Sequence, residues 1–395
     1  MCHYAFHDMR MASKGLGARS GLDRGSVVLA LAAVLVATSG SSAVAGRSTP
    51  FNYCADQNAV FRHPRPFVGI SDLAVQEGSE GYRNCSLGRM AATGLGYFRG
   101  FLAWQSVEPE PSHYNVSVYD AFVADLARHH MKLLAVLAGA PKWRSTAPSR
   151  GALAGQYPPA SPAQFAYFAS LMVMRYGPGG AFWRANPTLP YYPVRAWQVW
   201  NEPDLPESWE PHPNMSAYDR LLRAASTAIK GIDSHAIVVT AGMPFFGNSD
   251  ETHFISNMYR YGARGFFDVL AIHAYSATVA QAEQRLWTAR RLMDQFGDRS
   301  KPLWVTEFGW AGGDPDGFIT NFKRQRASVT AFFRFARRNR GRLLLREAFW
   351  FGWQDHQFGP GAASWWGYHL GLFTIAGRPK PALAAMSAAA RQLDR

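Results

Sequence analysis

The sequence predicts an α/β protein, a (β/α)8 TIM barrel forming a single domain behind an N-terminal export signal. Three observations carry this. Eight short apolar runs alternate with stretches of 3.6-residue periodicity, the mark of a parallel sheet crossed over by helices. Eight such units are the number that closes into a barrel. Two of the runs end in a glutamate followed by a turn signal, which is how a barrel presents chemical groups at the carboxyl ends of its strands. The chain has 395 residues, 48% of them hydrophobic, and barrels commonly run past about 250 residues as one domain.

Residues 1–45 read as the export signal. Arg10, Lys14, Arg19 and Arg24 precede an apolar run from Val27 to Ala37, and Ala43-Val44-Ala45 is a small-residue cleavage pattern. The run is shorter than the roughly 20 residues a spanning helix needs. An uncleaved anchor is the alternative, and no other stretch is a transmembrane candidate. Residues 46–64 form an N-terminal extension and residues 65–395 the barrel domain. Cleavage removes Cys2 and leaves Cys54 and Cys85. Two cysteines in an exported chain are expected to pair, here tying the extension to the first barrel helix, with two free thiols as the alternative. No Cys/His spacing suits zinc, so neither metal nor cofactor is expected.

The expected strands are Phe67–Ile70, Tyr97–Phe101, Lys132–Ala138, Arg195–Trp200, Ala236–Ala241, Asp268–Ile272, Pro302–Thr306 and Ala348–Phe351. The third is a continuous apolar run, as in a strand buried on both faces. Helices are expected over Tyr82–Thr93, Val118–His130, Ser161–Tyr176, Ser216–Gly231, Phe254–Tyr261, Val279–Phe296, Phe322–Asn339 and Lys380–Leu393. Ser161-Pro162 opens one as cap and first turn, and Gly177 ends it.

The net charge is +13. The N-terminal 45 residues hold four Lys/Arg and two Asp, so 13 − 2 leaves +11 on the rest. That balance suits an acidic polysaccharide, a membrane surface or nucleic acid, or it reflects arginine-rich composition alone. Arg337, Arg338, Arg340 and Arg342 form the densest group, at a helix end where the dipole favours cations. No nucleic-acid motif accompanies them. Tryptophan is abundant, with 13 residues, which fits both a large core and the stacking of sugar rings.

The fourth strand runs Arg195-Ala-Trp-Gln-Val-Trp200 into Asn201-Glu202-Pro203. Pro203 is expected to keep Glu202 extended at the strand's end. The seventh runs Leu303-Trp-Val-Thr306 into Glu307-Phe-Gly-Trp310. In a barrel both glutamates face one pocket. Two facing carboxylates are the apparatus of glycosidic bond hydrolysis: one protonates the leaving oxygen, and the other attacks the anomeric carbon or activates water.

Trp200-Asn201-Glu202-Pro203 with Thr306-Glu307-Phe308-Gly309-Trp310 resembles glycoside hydrolase clan A, the retaining (β/α)8 glycosidases. The nearest resemblance is to glycoside hydrolase family 39 and its bacterial exopolysaccharide-hydrolase relatives. Phe98-Arg99-Gly100, Trp104 with Glu108-Pro109, Ala140-Pro141-Lys142-Trp143, Ile272-His273-Ala274-Tyr275, Phe349-Trp350-Phe351-Gly352-Trp353 and Gly377-Arg378-Pro379-Lys380-Pro381-Ala382 fit the same pattern. The resemblance covers roughly residues 65 to 390 and implies Glu202 as acid/base and Glu307 as nucleophile. The acid needs a raised pKa, from burial and nearby negative charge. Arg99, at the end of the second strand, is the expected cation for Glu307, and Tyr275 its expected hydroxyl donor. His273 is placed to orient a carboxylate or a sugar hydroxyl, and Asn201 to bond the sugar 2-hydroxyl. Trp350 is expected as the floor under the sugar, with Trp104, Trp143 and Trp353 as further stacking surfaces. Several clan members carry a histidine after the third strand, where this chain has Ala138-Gly139-Ala140, so sugar identity does not carry over. The aromatics and the long loops after the third and eighth strands suggest an open groove and an endo-acting enzyme on a polysaccharide. An exo-acting β-xylosidase or β-glucosidase, a non-catalytic sugar-binding barrel, and a basic matrix- or nucleic-acid-binding protein remain as alternatives.

Overall fold

A computed structural model describes residues 54–394, apart from 55, 64, 150–151, 153–154, 245–250, 315–317 and 357–364. All belong to one compact unit spanning Leu31–Arg395. The expected export signal and most of the N-terminal extension lie outside the described residues. No helix among these residues is long and apolar enough to cross a membrane.

Nine parallel strands form one curled, TIM-barrel-like sheet: β1 (Val68–Ser71), β2 (Tyr97–Ala103), β3 (Lys132–Ala138), β4 (Ala196–Val199), β5 (Ile237–Val239), β6 (Met243–Pro244), β7 (Leu270–His273), β8 (Leu303–Phe308) and β9 (Leu345–Phe351). Their order is β5-β4-β3-β2-β1-β9-β8-β7-β6. At one end, β5 falls within the expected strand Ala236–Ala241; at the other, β6 is an unexpected two-residue strand just past it, after Thr240-Ala-Gly242. The sheet curls until they meet: Val239 bridges Val269 in parallel, and Thr240 N–H donates to Val269 O at 3.1 Å. Nine elements therefore stand where eight were expected. β2 runs two residues past its expected end, so Arg99 lies within the strand and not at its tip.

Helices α1 (Leu73–Glu77), α2 (Glu80–Thr93), α3 (Trp104–Val107), α4 (Ser117–Arg128), α5 (Pro162–Tyr176), α6 (Ala181–Ala185), α7 (Met215–Ile232), α8 (Glu251–Arg260), α9 (Val279–Gln295), α10 (Phe322–Leu343) and α11 (Pro381–Leu393) alternate with the strands. The short helices α1, α3 and α6 escape the periodicity because one turn carries too little pattern. Ser161 precedes α5, but its hydroxyl makes no capping bond, and Gly177 ends that helix at an ordinary φ of −70°. Asp72 caps α1 through Val75 N–H. Its second oxygen accepts Trp353 N–H at 2.6 Å, tying the end of β1 to the end of β9. Cys54 and Cys85 are bridged, which fastens the segment before β1 to α2.

Inside the sheet, Tyr97, Leu134, Ala196, Val239, Ala271, Trp304 and Phe349 pack together, one from each of seven strands. They make a solid floor, as barrel interiors require. β1 contributes Gly69 at this level because Phe349 occupies its space: a Cβ there would lie 2.4 Å from that ring. One inward step toward the carboxyl ends stand the polar residues Ser71, Arg99, Gln198, His273 and Thr306, and the site begins.

Candidate active site

Arg99 is the hub of the polar layer. Its side chain is fully buried. Nε donates to Gln198 Oε1 at 2.7 Å. Nη1 donates to Glu307 Oε1 at 2.6 Å and to Ser71 Oγ at 3.3 Å. Nη2 donates to Asn201 Oδ1 at 2.6 Å. Gln198 is held in turn by donating to Thr240 O at 3.0 Å. The guanidinium fork thus joins β1, β2, β4 and β8 around one carboxylate, a task its planar geometry suits. Gln198 and Ser71 had no sequence signal beyond their inward strand positions.

Glu307 takes its second oxygen's bond from Tyr275, whose hydroxyl donates to Oε2 at 2.8 Å. Burial and the neighbouring Glu307 carboxylate keep that phenol well above its ordinary pKa, so it stays a donor. Ile272 pairs with Val305 but His273 with Glu307, so the ladder gains a residue at Thr306-Glu307. A bulge of this kind re-aims a side chain next to a site.

Glu202 does not lie extended, contrary to the expectation from Pro203. β4 ends at Val199, and Trp200 and Glu202 take left-handed φ values of 70° and 46°. Proline disfavours the right-handed helical region for the residue before it, and here that residue takes the other side of φ instead. Such a backbone costs about 1–3 kcal/mol and persists where surroundings impose it. Here they do: Glu202 N–H donates to Gly242 O at 3.1 Å, and Trp200 N–H to Leu137 O at 2.8 Å. The Trp200 indole N–H donates to Ser208 O at 2.9 Å.

The two carboxyls stand in different environments. Burial pushes Glu202 up to about 8. The Glu207 carboxylate adds to this, while the Arg99 charge and a bond from Asn201 oppose it. The negative charge expected near the acid is therefore Glu207, on the turn after β4. His273 Nδ1 lies 2.6 Å from Glu202 Oε1 and 3.7 Å from Glu307 Oε2. Burial drives His273 down to about 3, so the imidazole is neutral and this contact is a hydrogen bond, not an ion pair. Its ring presses on bare backbone: a Cβ at Gly242 would lie 1.9 Å from His273 Nε2 and 2.7 Å from Thr306 Oγ1. Gly242 is a site residue that the sequence did not announce.

One ligand atom each from Glu202, His273 and Glu307 lie within 4.8 Å of one another. Such a trio could hold a metal ion. Two features argue for acid–base chemistry instead: Arg99 already places a cation 2.6 Å from Glu307, and Nδ1 of His273 is spent on Glu202.

The expected stacking surfaces need correction. Trp350 is fully buried and donates to Leu370 O at 3.0 Å. Alternation along β9 explains why: Phe349 faces the barrel floor, so Trp350 faces outward, against Phe308 and Trp310. Trp104 is buried, stacked on Phe168 and donating to Glu108 Oε2. Trp353 is buried against Phe373. None of the three offers a face to a sugar. Trp143 is half-buried, with its indole N–H on Pro109 O and Arg144 over its ring. Among the described residues, partly open aromatics beside the site are Phe351 and Trp366. Phe351 is the inward residue after Phe349, pairing with Ser71 beside Arg99. It and Trp366 are partly open and meet the Tyr275 ring edge-on, at 6.2 and 5.3 Å.

Residues 191–355 match the family model described as glycosyl hydrolase catalytic core, a span that contains both glutamates, His273 and Tyr275. No curated protein matches the chain. Among solved structures it is similar to a family 39 glycoside hydrolase from Bacteroides cellulosilyticus, with TM-score 0.60 and 19% identity over 84% of this chain and 64% of that one. It is similar to a family 39 enzyme from Xanthomonas axonopodis pv. citri, with TM-score 0.61 and 19% identity over 82% and 67%. A monomeric beta-xylosidase from Caulobacter crescentus gives TM-score 0.62 and 19% identity over 82% and 69%. The chain spans less than two thirds of the first of these. Residues 191–355 thus resemble a glycosyl hydrolase catalytic core, on a fold similar to that of the family 39 glycoside hydrolases.

Proposed function

We propose that this protein is a secreted, retaining β-glycosidase that hydrolyses O-glycosidic bonds in an extracellular polysaccharide by double displacement. One observation carries the reading: Glu202 and Glu307 present oxygens within 4.8 Å of each other. Carboxyls about 5–5.5 Å apart leave no room for a water between them and suit a covalent intermediate, whereas inversion needs about 6.5–9.5 Å.

The residues divide the work. Glu307, held by Arg99 and Tyr275, attacks the anomeric carbon. Glu202, protonated near neutral pH, gives its proton to the leaving oxygen from Oε2 while His273 Nδ1–H donates to Oε1. A glycosyl ester on Glu307 results. Glu202, now a carboxylate, takes a proton from water as that water attacks the anomeric carbon; the bond from that carbon to Glu307 breaks, and both groups are restored. Asn201, its carbonyl committed to Arg99, keeps its amide hydrogens for Glu202 and the sugar 2-hydroxyl.

The test is a panel of aryl β-glycosides and bacterial, plant and fungal polysaccharides, with product stereochemistry followed by NMR. Hydrolysis with a β product appearing first is expected. Glu307→Ala should be inactive and be rescued by azide with inversion. Glu202→Ala should keep its first step with good leaving groups and slow at the second. An α product, or equal unrescued loss in both variants, overturns the reading.

A further inference from the structure

Outside the active site one helix carries a dense run of basic residues. α10 carries one lysine and seven arginines and no aspartate or glutamate. Several arginines elsewhere have acid partners, as in Arg83–Asp125, Arg175–Asp120, Arg223–Asp219 and Arg264–Asp298. None of the ion pairs found among the described residues includes a side chain of α10. Arg326, Arg334 and Arg337 are exposed and line a groove of about 410 Å³ between α10 and α11. Its floor is Phe333, which is buried, and the methyl groups of Ala384, Ala385 and Ala388. Eight of the basic residues thus lie on one helix without an acidic residue among them, and they extend well beyond the helix end where the dipole alone would place them.

We propose that the α10–α11 groove binds an anionic polysaccharide, a uronate-bearing chain, and holds the enzyme on an acidic polymer. This rests on the polysaccharide reading of the active site. At about 1.5 Å rise per residue, Arg326 and Arg334 stand about 12 Å apart along the helix, and Arg334 and Arg337 about 4.5 Å. A single phosphate cannot span that row, whereas a chain with a carboxylate on successive sugars meets it repeatedly. The groove is concave, so a flat bilayer does not enter it. It offers no open ring on which a nucleic-acid base could stack.

The experiment measures affinity of the full-length protein for polygalacturonate, neutral dextran, duplex DNA and phosphatidylglycerol vesicles, at several salt concentrations. The groove variant is Arg326→Gln/Arg334→Gln/Arg337→Gln. Its control, Arg128→Gln/Arg195→Gln/Arg260→Gln, removes the same charge elsewhere. Polygalacturonate is expected to bind with marked salt dependence and dextran weakly. The groove variant should lose at least tenfold in affinity and bind with a shallower salt slope, since fewer counterions are released. The control should change less than threefold. Equal loss in both variants, no polygalacturonate binding, or tighter binding to DNA or vesicles overturns the proposal. Hydrolysis of neutral aryl glycosides, run in parallel, should be the same in the groove variant and wild type. Its absence from wild type rejects the proposed activity and leaves the binding result to decide the groove.

Discussion

Replacing Arg99 by methionine keeps the stem's volume and removes the charge. Three buried acceptors, Gln198, Glu307 and Asn201, then lose donors at 2.6–2.7 Å. Removing one partner of a buried ion pair costs about 3–5 kcal/mol. If that cost falls on the reacting geometry, kcat/KM drops between about a hundred and a few thousandfold, at about 1.36 kcal/mol per decade. A second effect has a definite sign. Burial raises the Glu202 pKa and Arg99 pulls it down, so without Arg99 the acid holds its proton to higher pH. Activity requires that proton and is lost as pH rises through the pKa. The alkaline limb of kcat/KM, near pH 8 in the wild type, should therefore move upward in Arg99→Met. Arg99→Lys separates charge from geometry: it keeps the limb close to the wild-type position, yet loses activity because an ammonium cannot serve three acceptors in one plane. The assay is kcat/KM for an aryl glycoside from about pH 5 to 10, with thermal unfolding of each variant as a check on folding. An unmoved or downshifted limb in Arg99→Met, or the same shift in Arg99→Lys, refutes the assignment.

Glu202→Gln should abolish the alkaline limb near pH 8 and slow substrates with poor leaving groups far more than those with good ones, read from the same pH series. Gly242→Ala brings a methyl group within 1.9 Å of His273 Nε2. Overpacking of this kind costs about 1–3 kcal/mol, so a lower melting temperature is expected together with a falling kcat, as His273 is pushed off Glu202. Trp366→Ala and Phe351→Ala should each raise KM about two- to tenfold, since an aromatic contact contributes about 0.5–1.5 kcal/mol beyond its buried area. Trp104→Phe should lower the melting temperature and leave KM unchanged. A KM change in Trp104→Phe with none in Trp366→Ala would return the sugar surface to the buried indoles.

Much of this was legible in the sequence because it rests on periodicity. Eight alternating units foretold the barrel, and the glutamates after Asn201 and Thr306 sit where strands meet the carboxyl face. Arg99, His273 and Tyr275 were findable because each stands in a motif of the family resemblance, on or just past a strand. The sites that escaped notice are those whose role depends on contact across the barrel. Gly242 matters only because His273 leans on it, and Gln198 only because Arg99 needs an acceptor on β4. Glu207 raises the acid's pKa from a turn whose path no local pattern fixes.

The misplaced tryptophans follow from a stricter rule than composition. On a barrel strand, successive side chains alternate between the interior and the helices, so one buried anchor fixes the parity of its neighbours. Phe349 fills the barrel floor beside Tyr97 and Trp304. Phe351 must then face the site, and Trp350 must face α10, where Phe308 and Trp310 receive it. The same counting takes Ala271 to His273 to Tyr275 on one face of β7 and beyond. It fails at Glu307, where the bulge inserts a residue, and at Glu202, where two left-handed residues turn the chain. Both carboxylates proposed as catalytic thus sit where regular alternation is broken, and the groups that support them sit where it holds. A regular ladder sets side chains at fixed intervals and cannot bring two carboxyls from opposite sides of a barrel to bonding range of one sugar. The breaks supply that last displacement, and the strain at Glu202 is the local cost of placing an acid where a strand alone would not.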